Sequence, residues 1–356
     1  MSRRTYLDHA ATTPVLPEAR AAVAAACEAW ANPSSPHADG RAARAALEQA
    51  RETIAEALGW RHDVILTSGA SEAVTIAALR AKVPGRILGA TEHDIVPYAM
   101  GEQARVISVD RDGVVDLAEL EAALGAGPAL VAIQMVNNET GVIQPLGEIG
   151  ERVRAAGSLL LADCAQGAGK LDLPEADFIA VSAHKLGGPP GVGALLVRDL
   201  ATLEPSGGQE KGYRRGTQDM PSAAGFAVAL ASGAFRDAMP RLTALRQRLE
   251  DGVRAAGGEI IAHNSPRIAT IGAVAIPGAS SASLLVQLDL AGFAVSAGSA
   301  CSSGSMKPSR VLAAMGVAPD IAGGTIRISF GPATSEAEID AFLAEFTRIA
   351  QCQRAA

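Results

Sequence analysis

The most restrictive feature of the sequence is an alternation of short apolar runs and helical patterns between residues 64 and 197. The seven apolar runs are Val64–Thr67, Arg86–Ala90, Arg105–Val109, Ala129–Val136, Ser158–Ala162, Phe178–Val181 and Val192–Val197. Most are apolar on both faces, which is typical of strands in a covered, largely parallel sheet. Helical patterns lie between several of them, at Ser71–Ala81, Asp116–Leu124 and Leu146–Ala156. The pattern predicts an α/β domain with a sheet of about seven strands.

The segments on either side predict further helices and a second, smaller unit. The predicted helices are Pro17–Ala29, Gly40–Leu58, Pro221–Asp237, Leu242–Ala256, Ser281–Leu290, Pro308–Met315 and Ser335–Gln351, and the predicted short strands are Thr270–Ile276 and Thr325–Phe330. The last helix opens with a capping box formed by Ser335 and Glu338. We therefore predict a large domain over residues 15–236 and a smaller α+β domain over residues 1–14 and 237–356.

Composition excludes several classes of protein. The net charge of −7 argues against a nucleic-acid partner or an anionic membrane surface, because binding phosphate requires a basic face. The N-terminus has no apolar region of signal-peptide length, and the apolar runs are too short to span a membrane. The four cysteines lie far apart without metal-ligand spacing: Cys27, Cys164, Cys301 and Cys352. We expect a cytoplasmic protein with reduced thiols and no metal site.

A lysine occupies an unusual position between the last two apolar runs. Lys185 follows Ser182-Ala183-His184 and precedes a Gly/Pro-rich turn. Burying an ammonium group is costly, but a desolvated lysine has a lowered pKa and can form a Schiff base with a carbonyl. An exposed lysine at a strand end is the alternative. A dinucleotide loop is excluded, because Gly193 leads directly into a short apolar run instead of the helix that such a loop requires.

Residues suited to an aldehyde cofactor follow the other predicted strands. Pyridoxal phosphate requires an acid at its ring nitrogen, phosphate donors, a group against the ring and a partner for its phenolic oxygen. Asp163 closes one strand and fits the acid, although it also fits a helix cap. The turn Ser68–Glu72 fits an anion site or a simple cap, and His93 follows the next strand. Since such strand ends converge in α/β sheets, their joint placement favours a cofactor site.

The motifs that carry these residues resemble those of the cysteine desulfurases, which are class V, fold-type I pyridoxal phosphate enzymes. The resemblance runs in family order over nearly the whole chain. The matching stretches are Tyr6–Pro14, Asn32–His37, Thr67–Glu72, Thr91–His93, Val136–Gly141, Asp163–Gln166, Ser182–Lys185, Gly212–Thr217, Gly298–Cys301 and Ile326–Ser329. The family's fold implies a large domain with a mostly parallel sheet and a smaller α+β domain.

The resemblance also implies a role for each site residue. Lys185 binds the cofactor covalently and moves the substrate Cα proton. Asp163 holds the ring nitrogen, Asn138 and Gln166 flank the phenolic oxygen, and His93 stacks on the ring and serves as an acid or base. Ala70, Ser71, Ser182 and His184 hold the phosphate together with the partner subunit's Thr217, which implies a homodimer. Arg327 and Asn32 bind the substrate carboxylate, a role that suits the two-pronged guanidinium of arginine.

Cys301 distinguishes a desulfurase from related enzymes. It lies in a run of small and polar residues, Ser296–Ser305, which favours an exposed loop, and Lys307 nearby favours the thiolate. A buried structural cysteine is the usual alternative, but this neighbourhood does not suit burial. By the resemblance, Cys301 attacks the sulfur of L-cysteine, L-alanine is released, and the persulfide on Cys301 passes its sulfur to an acceptor or iron–sulfur scaffold protein.

Three other functions remain open at this stage. A selenocysteine lyase or a cysteine sulfinate desulfinase would share the cofactor site. A class V aminotransferase would need an oxo-acid co-substrate and would not need Cys301. A non-catalytic partner that keeps the fold is the third alternative, although Lys185, Asp163 and Cys301 are all present.

Overall fold

The computed structural model describes residues 4–298 and 309–355. Its helices are α1 Pro17–Glu28, α2 Ala38–Ala57, α3 Ala70–Arg80, α4 Ile95–Met100, α5 Leu117–Leu124, α6 Leu146–Ala155, α7 Met220–Ala231, α8 Ala234–Ala255, α9 Ser281–Leu290, α10 Arg310–Ala314, α11 Pro319–Gly323 and α12 Glu336–Ala355. Its strands are β1 Thr5–Tyr6, β2 Asp63–Thr67, β3 Gly85–Gly89, β4 Arg105–Ile107, β5 Ala129–Gln134, β6 Leu159–Asp163, β7 Phe178–Ser182, β8 Gly193–Val197, β9 Glu259–Ile260, β10 Ile271–Ala275, β11 Phe293–Ala294 and β12 Thr325–Ser329.

The seven strands predicted from the apolar runs form one sheet in the order β2-β8-β7-β6-β5-β3-β4. Only β8 runs antiparallel to its neighbours in this sheet, so the prediction of a mostly parallel sheet is confirmed. Adjacent residues in a strand enter opposite cores: Leu130 and Phe178 pack on the face that α3 and α4 cover, and Val131 and Ile179 on the face that α2 and α5–α7 cover. Both faces are therefore covered, as the apolar runs predicted.

One helix boundary was predicted wrongly. The helical pattern Pro221–Asp237 is interrupted in the structure, because α7 ends at Ala231 and α8 begins at Ala234. Gly233 lies between them with φ +64°, in the left-handed region that ends a helix readily at glycine. The break predicted before Leu242 is absent, and Pro240 lies inside α8.

A second group of elements has its own core. Strands β12, β10 and β9 form an antiparallel sheet, and side chains from this sheet pack with α8, α9 and α12. Leu7 belongs to the same core, and β1 pairs with β11, so the N-terminal segment is attached to this group. Helix α8 crosses the boundary proposed at residues 236 and 237, and the domain limits stay a prediction. Among the described residues, no helix has the length and apolar character needed to cross a membrane.

Candidate active site

Five strands deliver candidate residues to one edge of the large sheet. Strands β2, β3, β5, β6 and β7 all point the same way, so their carboxyl ends meet at one edge. The residues placed there are Ala70 and Ser71 after β2, His93 after β3, Asn138 after β5, Asp163 at the end of β6 and Ser182 at the end of β7.

Lys185 lies at the centre of this edge. It ends the single 3₁₀ turn Ala183–Lys185 that follows β7, and its Nζ donates hydrogen bonds to the carbonyl oxygens of Ala10 at 2.6 Å and Ala11 at 2.7 Å. The turn is completed by Gly187 with φ +85°, a conformation that favours glycine. The N-terminal segment therefore holds the amine in place.

Asp163 and His93 are placed to interact with a cationic ring. Asp163 Oδ1 accepts a hydrogen bond from Ala165 N at 2.9 Å. The carboxyl group is enclosed by protein, although the residue as a whole is partly exposed. Burial raises the pKa of Asp163, whereas the Ala165 hydrogen bond and the charges of His93 and Lys185 act to lower it. His93 Nδ1 accepts from Ile95 N at 3.3 Å, which assigns the proton of the neutral ring to Nε2.

Gln166 carries a buried polar atom that needs a partner. Its Nε2 donates to Ala10 O at 2.9 Å, but Oε1 is buried and has no hydrogen-bond partner among residues 4–298 and 309–355. An unpaired buried amide oxygen is costly, so it indicates that a polar group outside the described residues belongs here, which a bound cofactor would supply. Gln166 Nε2 and Lys185 Nζ share the acceptor Ala10 O, which places the Gln166 amide group beside the lysine.

Hydrogen-bond donors suited to an anion lie at the start of α3. No side chain caps the first turn of α3, so backbone N–H groups at Ala70 and Ser71 are available. Ser182 lies beside this turn, since a Cβ built on Gly69 would be 3.9 Å from Ser182 Oγ. Burial and the charges of Lys185 and Lys170 lower the pKa of His184 to about 4, so this ring is neutral at neutral pH; its Nδ1 lies 3.2 Å from Thr12 Oγ1.

Lys170 is a buried cation that the sequence analysis missed. Its ammonium lies 4.8 Å from the centre of the Phe235 ring, and no carboxylate in the described part of the chain pairs with it. Burial and the charge of Lys185 lower the pKa of Lys170 to about 7, and Lys170 in turn helps burial lower the pKa of His9 to about 4. The signal in the sequence was a lysine soon after the strand end at Asp163, in a run of small residues.

Arg327 lies on β12 with its side chain only 4% exposed. Its Nη2 pairs with Asp8 Oδ1 at 2.7 Å, and its Nη1 donates to the carbonyl oxygen of Asn138 at 3.0 Å. Its Nε is buried without an acceptor in the described residues. The structure therefore brings Arg327 to the backbone of Asn138 and leaves the Nε–H donor of Arg327 without a partner in the described residues.

Two predicted site residues in the described part of the chain are not joined to this cluster. Asn32 is exposed, and its Oδ1 accepts a hydrogen bond from the nearby Ser34 N at 2.9 Å. Thr217 is exposed in the loop before α7. Cys301 lies outside the described residues. Their roles stay predictions.

The described residues on both sides of the Cys301 segment contact the site. Before it, Ser296 Oγ donates to Asp8 Oδ2 at 2.9 Å. After it, Ser309 Oγ donates to Glu139 Oε2 at 2.6 Å, next to Asn138. Both ends of the segment are thus attached to residues that also hold the site together.

The fold and the site define an α/β protein whose residues fit pyridoxal phosphate. The orphan oxygen of Gln166, the carboxyl of Asp163, the open first turn of α3 and the amine of Lys185 match the polar groups of that cofactor. The aminotransferase class-V family model matches residues 5–342, so the chain belongs to this pyridoxal phosphate-dependent family.

Within this family, the chain is similar in sequence to cysteine desulfurases and in structure to a NifS-like protein. The chain is 38% identical to a cysteine desulfurase of Cereibacter sphaeroides over 96% of this chain and 94% of the relative. It is 38% identical to an IscS-like cysteine desulfurase of Mycobacterium tuberculosis over 99% of this chain and 98% of the relative. A NifS-like protein from Rickettsia africae superposes with a TM-score of 0.89 at 30% identity, over 98% of this chain and all of that one.

Proposed function

We propose that the protein removes the sulfur of L-cysteine, releases L-alanine, and carries the sulfur as a persulfide on Cys301 to an acceptor protein. The observation that carries this proposal is the near-complete match to cysteine desulfurases by a chain that has Lys185 and Asp163 at its sheet edge. The activity is that of a pyridoxal phosphate-dependent cysteine desulfurase.

The cofactor supplies an electron sink that stabilises negative charge at the substrate Cα. Lys185 would hold it covalently through Nζ, with Asp163 at the ring nitrogen and His93 against the ring. Gln166 and Asn138 would flank the phenolic oxygen. The phosphate would be held by Ala70, Ser71, Ser182 and His184, where the uncapped start of α3 and the hydroxyl of Ser182 support the assignment.

Lys185 is the group that would move the substrate Cα proton. This role requires a neutral amine at the moment of transfer. The ammonium groups of Lys170 and Lys185 repel each other, which disfavours charging both at once.

Transfer of the substrate sulfur to Cys301 requires no added oxidant or reductant. The Cys301 thiolate attacks the sulfur of L-cysteine, the S–S bond forms as the substrate C–S bond breaks, and a proton replaces sulfur on the carbon to give L-alanine. The attachment of both flanks of the Cys301 segment to the site supports this step. Arg327 would hold the substrate carboxylate with Asn32.

We also propose a cytoplasmic homodimer. The exposed position of Thr217 fits a role in the partner subunit's phosphate site, as the family resemblance implies. Large exposed apolar side chains, Trp30, Leu79 and Tyr98, provide surface that a second copy could cover. The sulfur acceptor is proposed as a protein, with an iron–sulfur scaffold among the candidates.

The test is formation of L-alanine from L-cysteine with a reductant present. We expect wild-type protein to form alanine and sulfide in equal amounts, and Lys185→Ala to form neither. Faster turnover of selenocysteine or cysteine sulfinate would favour those alternatives. Alanine formed only with an oxo acid would indicate an aminotransferase, and no turnover by cofactor-loaded protein would refute the proposal.

A further inference from the structure

Asp8 joins the substrate-binding and cofactor-binding halves of the site. Its Oδ1 accepts from Arg327 Nη2 at 2.7 Å, and its side chain is 18% exposed. Two and three residues further along the chain, the carbonyl oxygens of Ala10 and Ala11 accept from Lys185 Nζ. One short segment thus contacts both the arginine proposed for the carboxylate and the lysine proposed for the amine side of the substrate.

Asp8 uses only one of its two oxygens on the guanidinium. A carboxylate and an arginine commonly pair through two parallel hydrogen bonds. Here Ser296 Oγ donates to Asp8 Oδ2 at 2.9 Å, which diverts the second oxygen. Arg327 Nε remains buried without an acceptor in the described residues.

The backbone keeps these three residues in register. Arg327 N donates to Ser296 O at 2.6 Å, and Ser296 N donates to Arg327 O at 3.3 Å. Asp8 bridges to Ser329, whose N donates to Leu7 O at 2.8 Å and whose Oγ accepts from Ala10 N at 2.9 Å. The distance between Arg327 and Lys185 is therefore set through a short, hydrogen-bonded path.

We propose that Asp8, held by Ser296, is a positioning residue that leaves Arg327 one carboxylate slot and fixes that slot relative to Lys185. This inference rests on the proposed function, in which Arg327 binds the substrate carboxylate. It makes Asp8 and Ser296 determinants of selectivity for α-amino acids over simple amines.

The test compares L-alanine with ethylamine as ligands of the cofactor-loaded protein. The two differ only in the carboxylate, and neither has sulfur for Cys301 to attack. Binding is followed by the change in cofactor absorbance. We expect Asp8→Ala to weaken the binding of L-alanine about tenfold or more, because the charged hydrogen bond that aligns Arg327 is lost. The affinity for ethylamine should change by less than about twofold. Ser296→Ala should also weaken the binding of L-alanine and not that of ethylamine. Without the serine hydroxyl, Asp8 Oδ2 can accept from Arg327 Nε while Oδ1 accepts from Nη2.

Two further variants separate the possible failures. Asp8→Asn keeps the shape of the side chain, so it replaces Asp8→Ala if that variant does not fold. It should weaken the binding of L-alanine about threefold or more and leave the binding of ethylamine unchanged. Equal weakening of both ligands, no weakening, or tighter binding of L-alanine would overturn the inference. If Arg327→Gln leaves the preference for L-alanine intact, the carboxylate assignment of the proposed function fails. If Arg327→Gln abolishes it and the Asp8 and Ser296 variants do not, only the inference fails.

Discussion

The buried ammonium of Lys170 makes a quantitative prediction about stability. The residue is 4% exposed, and its pKa falls from 10.5 to about 7 in the folded protein. Since each tenfold change in proton affinity corresponds to about 1.4 kcal/mol, charging Lys170 in the folded state costs about 5 kcal/mol below pH 7. Replacing Lys170 with methionine should therefore stabilise the protein, as far as methionine fills the same space.

The sign of the pH dependence follows from the lowered pKa. Between pH 7 and 10.5 the unfolded chain holds the Lys170 proton and the folded chain does not, so the wild-type free energy of unfolding rises with pH across this window. Lys170→Met lacks this contribution. The amount by which its free energy of unfolding exceeds that of wild type should therefore shrink by about 2 kcal/mol between pH 7 and pH 9.

The assay is urea unfolding of cofactor-free protein at both pH values, with fluorescence and circular dichroism required to give coincident transitions. Lys82→Met is the matched control, because Lys82 is 40% exposed and pairs with Glu204 only at 3.9 Å. Its effect should not change between the two pH values. A Lys170→Met advantage that is constant or grows with pH would refute the reasoning.

Two other predictions concern a buried ion pair and a close contact between two turns. Glu210 is fully buried and pairs through both oxygens with Arg51, so Glu210→Gln should lower the free energy of unfolding by about 3–5 kcal/mol. Glu48→Gln, at the exposed partner of the same arginine, should cost less than about 1 kcal/mol in the same urea assay, and equal costs would contradict the argument. A Cβ at Gly193 would lie 2.7 Å from Gly69 Cα, so Gly193→Ala should displace the turn before α3 and release cofactor on dialysis. Unchanged cofactor absorbance after dialysis would contradict this.

The large sheet was predictable because its strands are buried on both faces. A run such as Phe178–Val181 has no polar residue, and the strand observed is Phe178–Ser182. The helix break at Gly233 was missed because its flanking sequence keeps a helical composition, and only the left-handed backbone shows the interruption. Local pattern specifies an element's type better than its ends.

The site was predictable where a residue follows a strand, and not where distant segments meet. Asp163 and His93 follow apolar runs, so topology alone places them at one edge. The pair of Asp8 and Arg327 joins residues 319 positions apart, and nothing near either residue indicates the other. Lys170 was missed for a related reason, because the ring that its ammonium faces, Phe235, lies in the distant helix α8.

The central claim is tested most directly by a single turnover without reductant. Cofactor-loaded protein is mixed with L-cysteine, alanine is measured, and each cysteine is examined by peptide mass spectrometry for one extra sulfur atom. The account predicts about one alanine per active site and the added sulfur on Cys301, with both lost in Cys301→Ala. Exposed Cys27 and Cys352 provide matched controls, and their alanine variants should behave as wild type. Full alanine formation by Cys301→Ala, or sulfur found first on another cysteine, would contradict the account.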